Sequence, residues 1–202
     1  DQALLWVKRH GGLQGQVDFT YLNTTNDELG MQHIRYQELV NGYPVQGAVL
    51  ILHTGNGKLL AVNGELVSAS DVSANTPQLT EQSALSAALQ SVSARQYRWQ
   101  VPFWEEQLKQ TSGNTTATWY PKGTLMYARA NGTGMYALCY RFDVYAEQPL
   151  SRQWVFVNAT DGKEVLKLDR IHHTNVIGNA VTAYSGTKEI TTDSVNTTTY
   201  RL

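Results

Sequence analysis

Arg35-Tyr36-Gln37-Glu38-Leu39-Val40-Asn41-Gly42-Tyr43-Pro44-Val45-Gln46-Gly47-Ala48 reads as a strand, a two-residue turn and a stiff return. Gln32 to Val40 is rich in strand-compatible residues, and Asn41-Gly42 is a strong hairpin signal because a tight turn needs positive φ at both central positions. Pro44 cannot donate to a central ladder, so Tyr43 to Gly47 is predicted as a connector. Ala48 to His53 is an apolar strand, Thr54-Gly55-Asn56-Gly57 turns the chain, and Lys58 to Asn63 returns it. The economical prediction is a three-stranded antiparallel sheet. Ala3 to Arg9 supplies a covering helix, stopped by Gly11-Gly12.

Further along, Asp71 to Pro77 is polar and small-residue-rich, which predicts a linker. Thr80 is the predicted N-cap of a helix with Glu81 in its first turn. Leu85, Ala88, Leu89 and Val92 then form its apolar stripe. The aromatic run from Tyr97 to Trp104 is read as packing beneath a long loop rather than as a binding surface. Tyr136, Leu138, Tyr140, Phe142 and Val144 alternate along a strand from Met135 to Tyr145, followed by strands at Gln153 to Asn158 and Glu164 to Leu168. The hairpin at Leu50 to Leu60 is echoed at Val155 to Leu166, which suggests two units of similar design. The predicted fold class is α+β: two modules, residues 1–70 and 77–170, each an antiparallel sheet with a covering helix. An extended, β-rich tail follows at residues 171–202.

Composition narrows the function. Sixteen basic and seventeen acidic residues in 202 leave a net charge of −1, so bulk charge attracts neither nucleic acid nor an anionic membrane. No apolar run reaches the length of a membrane span, and no export signal is read at the start. The single cysteine, Cys139, lies in an apolar alternating run and is predicted to be a buried free thiol. His-Glu-x-x-His, Cys-x-x-Cys, Gly-x-Ser-x-Gly and phosphate-cradling glycine loops do not occur. Of the histidines only His172 and His173 are adjacent, and neighbours on an extended chain point to opposite sides, so a shared metal is not expected. No catalytic residue, metal ligand or cofactor of this chain is expected.

The stretch quoted first resembles the propeptide module of fungalysins and thermolysins. The resemblance rests on Arg35, Tyr36 and Gln37, on Asn41, Gly42, Pro44 and Val45, and on Gly47, with Gly57 to Gly64 fitting the closing hairpin. The second half is similar to a PepSY module in its helix after Glu81 and its hairpin from Trp154 to Gly162. Residues from Gly178 onward resemble the first strands of a mature thermolysin-like enzyme. The resemblance implies a non-catalytic propeptide of a secreted, bacterial zymogen. Its implied partner is the cognate catalytic domain, which it chaperones and inhibits, and its implied cleavage region spans Arg170, Ile171, His172, His173, Thr174, Asn175 and Val176. Zinc and calcium are implied for that catalytic domain, expected beyond Leu202. The alternative is a free-standing secreted peptidase inhibitor or binding module of the same fold.

Overall fold

A computed structural model describes residues 2–13, 15–73, 76–130, 134–171, 175–182, 186–194 and 200–201. The chain divides into two compact units, Asp1–Leu168 and Asp169–Leu202.

In the first unit the elements are α1 (Gln2–His10), β1 (Val17–Asn26), β2 (Gln32–Val40), β3 (Tyr43–Gly55), β4 (Lys58–Asn63), α2 (Glu81–Val92), β5 (Gln96–Tyr97), α3 (Pro102–Ser112), β6 (Thr124–Ala128), β7 (Ala137–Gln148), β8 (Ser151–Asn158) and β9 (Glu164–Asp169). They build one sheet in the order β1-β2-β3-β6-β7-β8-β9, with β4 also on β3 and β5 on β7. The 13-residue β3 is the shared member. Its later half pairs antiparallel with β4, while Val45 near its start pairs in parallel with Tyr127 of β6.

The expected separation into two modules meeting near Asp71 to Pro77 is therefore not what forms. The reason is apolar: Val40, Val45, Ala48 and Val67 pack in one cluster with Ala84, Leu85 and Ala88 of α2 and with Tyr136, Leu138, Tyr140, Phe142 and Val144. Separated modules would return those residues to water at about 25 cal/mol for each Å² of apolar surface. The connector is bound in as well, since Tyr136 N donates to Asp71 O and Ser73 N donates to Tyr136 O.

Local signals explain most elements. Thr80 Oγ1 accepts from Ser83 N at 3.2 Å and caps α2. That helix sinks Leu85 and Ala88 into the cluster, with Leu89 and Val92 at its margin. The predicted face of β7 is buried throughout. Val7 of α1 packs with Tyr36, Leu50 and Leu52 in a second cluster.

Three expectations need correction. The first sheet region has four antiparallel strands because β1 joins it as an edge, and its mostly exposed residues give no alternating signal. Tyr43 to Gly47 lies within β3 rather than forming a connector, with Pro44 opposite Leu39 just past the turn. The aromatic run leads into α3 rather than a long loop: Pro102 opens the helix and Gly113, at φ 64°, closes it.

In the second unit, β10 (Asn175–Thr182), β11 (Gly186–Ser194) and β12 (Tyr200–Arg201) form an antiparallel sheet in that order.

Candidate functional site

The quoted stretch folds into a hairpin with one large irregularity. Val40 and Tyr43 pair across the turn, where Asn41 and Gly42 stand at φ 50° and 83°. Leu39 pairs with Pro44, but Gln37 pairs with Val49, so residues Val45 to Ala48 of β3 bulge opposite the single residue Glu38. Gly47 supports the bulge at φ 81°, and a Cβ there would meet nothing within 4 Å, so its requirement is conformational. Gln37 fills the irregularity. Its Nε2 donates to the carbonyl oxygens of Val45 at 2.8 Å, Ala48 at 3.0 Å and Glu38 at 3.1 Å, replacing ladder bonds that the bulge removes.

Strand β2 itself is regular against β1 along this stretch, which puts Tyr36, Glu38 and Val40 on one buried face. Glu38 is thus a carboxyl in an apolar row, 0% exposed. Both of its oxygens accept from the one backbone N–H of Val67, at 3.0 and 3.1 Å. Burial pushes its pKa up to about 7, with the Val67 N–H partly opposing the rise. Arg35 lies on the other face and donates to Thr25 Oγ1 at 3.0 Å, while Tyr36 meets Tyr21 edge-on at 6.0 Å. The motif residues accordingly build the hairpin.

The bulge opens on a cavity of about 200 Å³ bordered by Gln46, Gly47, Glu65, Arg129 and Tyr136. Arg129 pairs with Glu65 at 2.8 Å and lies over the Tyr136 ring at 4.6 Å. A neighbouring cavity of about 340 Å³ shares those three side chains and reaches Val67 and Asp71. Both cavities are lined by Glu65, two residues before the Val67 that Glu38 holds.

Among the aromatic residues, Arg98 lies between the rings of Trp104 at 3.4 Å and Tyr145 at 4.6 Å and pairs with Glu147. Arg152 continues the ladder over Tyr145 and Trp119 and forks onto Asp143. This is packing by alternating guanidinium and ring. Cys139 is buried as expected, and burial pushes its thiol up to about 12, which keeps it protonated and unreactive.

Of the expected cleavage region, Arg170 and Ile171 are half-buried after β9, and Asn175 and Val176 begin β10 opposite Asp193 and Thr192. His172, His173 and Thr174 lie outside the described residues. Sequence reading missed Glu38, although counting by twos from Tyr36 to Val40 places it on the apolar face.

Residues 17–66, which hold β1 to β4 and the bulge, match the Fungalysin/Thermolysin Propeptide Motif family. The chain is 30% identical over 166 residues to Bacillolysin of Bacillus amyloliquefaciens, covering 80% of this chain and 29% of that protein. It is 25% identical over 161 residues to Thermolysin of Alicyclobacillus acidocaldarius subsp. acidocaldarius, covering 79% and 27%. Thus the chain spans under a third of the length of these relatives. The Bacillus megaterium YpeB C-terminal domain aligns over 83% of this chain and 62% of that one, at 13% identity and a TM-score of 0.37, too distant to argue from. The chain carries a propeptide motif and is homologous to thermolysin-type proteins over about four-fifths of its length.

Proposed function

We propose that this chain is the prosegment of a secreted bacterial thermolysin-like zinc endopeptidase, running into the first strands of the mature enzyme. In this reading it assists folding of the catalytic domain and blocks its cleft until cleavage between about Arg170 and Val176. The observation that carries the proposal is the motif match at residues 17–66, set within a homology that takes up under a third of each relative. Residues 77–170 serve as the PepSY-like partner of the motif, fused to it through β3 and β6. Strand β1 is an edge of the sheet, with Tyr21 and Leu22 exposed, and an edge offers unpaired backbone groups to a partner. Zinc and calcium belong to the catalytic domain in this scheme.

Residues 1–174 supplied in trans test the proposal. They are expected to inhibit the cognate peptidase and to raise the yield of active enzyme on refolding. Deleting Ile171 to Thr174 is expected to weaken inhibition and to spare much of the folding assistance, since the body of the prosegment remains. Equal inhibition constants with and without those residues would show that the tail does not block the cleft.

A further inference from the structure

His33 and His53 stand directly opposite each other on β2 and β3. Their Nδ1 atoms are 2.6 Å apart, and the rings meet edge to face with centroids 4.8 Å apart. On its far side, His33 Nε2 lies 3.2 Å from Asp27 Oδ2. Asp27 is fixed in the β1–β2 turn, where Leu29 N and Met31 N each donate to its Oδ1 at 2.9 Å. With Asp27 held as an acceptor beside it, His33 carries its proton on Nε2, which leaves the Nδ1 lone pair aimed at His53.

Two ring nitrogens this close need a proton or a cation between them. His53 can supply the proton from its Nδ1; its Nε2 is buried and has no partner among the described residues in either tautomer. In the other tautomer both Nδ1 lone pairs converge on one point, the arrangement that a borderline cation selects. We propose that His33 and His53 form a two-histidine site for a divalent cation of the Zn²⁺ or Cu²⁺ class, with Asp27 as the outer carboxylate orienting His33. Zn–N bonds of about 2.0–2.1 Å at a tetrahedral angle set the nitrogens about 3.3 Å apart, so the pair opens by about 0.7 Å. Among the described residues no group of three His, Cys, Asp or Glu side chains could hold a metal ion, so this cation keeps open positions for water or for a group from another chain. Binding would fasten the end of the β2–β3 hairpin opposite its Asn41-Gly42 turn, and through Asp27 the β1–β2 turn as well.

The test titrates zinc chloride and copper(II) chloride into the 202-residue chain carrying His172→Gln and His173→Gln, which removes the adjacent tail pair as a competing site. Thermal unfolding and zinc-perturbed imidazole nitrogen resonances are followed together. The midpoint is expected to rise saturably with metal, and the perturbed resonances are expected to be Nδ1 of His33 and His53. His33→Gln and His53→Gln should each abolish the rise, and Asp27→Asn should weaken affinity about 10-fold or more, as loss of an outer carboxylate does. A rise that survives either histidine replacement overturns the site, as does zinc perturbation at Nε2 or no binding at about 1 mM metal. If a replacement unfolds the chain, the assigned resonances of the unsubstituted histidines still decide.

Discussion

Replacing Glu38 with Gln keeps the side chain's shape and leaves a carbonyl oxygen for Val67 N, while removing the proton equilibrium. In the fold the Glu38 carboxyl is raised from 4.5 to about 7 by burial. The unfolded chain therefore releases this proton earlier than the native chain does. Below the unfolded value both states are protonated and the carboxyl costs nothing. As pH rises from about 4.5 to about 7 the native state alone keeps the proton, so stability falls, and above about 7 the loss is complete. At 1.36 kcal/mol per unit the full effect is about 3 kcal/mol. The new amide NH₂ of Gln brings its own need for an acceptor, which lowers the gain to roughly 1–3 kcal/mol. Urea unfolding of both proteins at pH 5 and pH 8 measures it. Glu38→Gln is expected to be near neutral or slightly unfavourable at pH 5 and clearly stabilising at pH 8. Groups common to both proteins cancel, including Asp18, Asp27 and Asp161, whose pKa values lie below 3.8 and outside the window. An identical stability difference at the two pH values would mean that Glu38 does not titrate between them, and the account of its burial would be wrong.

Two further substitutions probe the hairpin. Gly42→Val should destabilise the chain by about 1–3 kcal/mol, because φ 83° strains a β-branched residue even where space is free; unchanged thermal unfolding would contradict that conformation. Gln37→Ala removes the donor shared by three carbonyl oxygens and should cost about 1–3 kcal/mol in urea unfolding, with a cost near zero showing that water replaces it.

What could be read from the sequence follows how local each cause is. The Asn41-Gly42 turn, the Thr80 cap and the period-two face of β7 are each decided within a few residues, and each stands in the structure. Strand β1 was hidden because an edge strand with exposed residues has no apolar face to alternate. The start of α3 was masked by its own aromatic residues, which suggested packing before they suggested a helix. Contacts between distant segments left no local trace. The Val45–Tyr127 pairing joins residues 82 positions apart, and His33 meets His53 only once the hairpin register is fixed. Glu38 was legible by counting, but a carboxyl in an apolar row is the departure from pattern that counting by hydrophobicity passes over. Of the motif residues, sequence reading foresaw a turn at Asn41-Gly42 but not the bulge that Gln37 and Gly47 sustain.

The shared strand β3 also governs how this protein can be taken apart. The match to the family model stops at residue 66, yet Val67 is anchored by Glu38, and Val40, Val45 and Ala48 are covered from the other half. An excised piece ending there would expose a raw apolar seam, and its complement would lack the strand on which β6 lies. Chimeras that exchange prosegments between enzymes should therefore be joined near Leu168, where the compact unit ends, rather than at the edge of the motif. The stretch that matches the family model is smaller than the compact unit in which it folds.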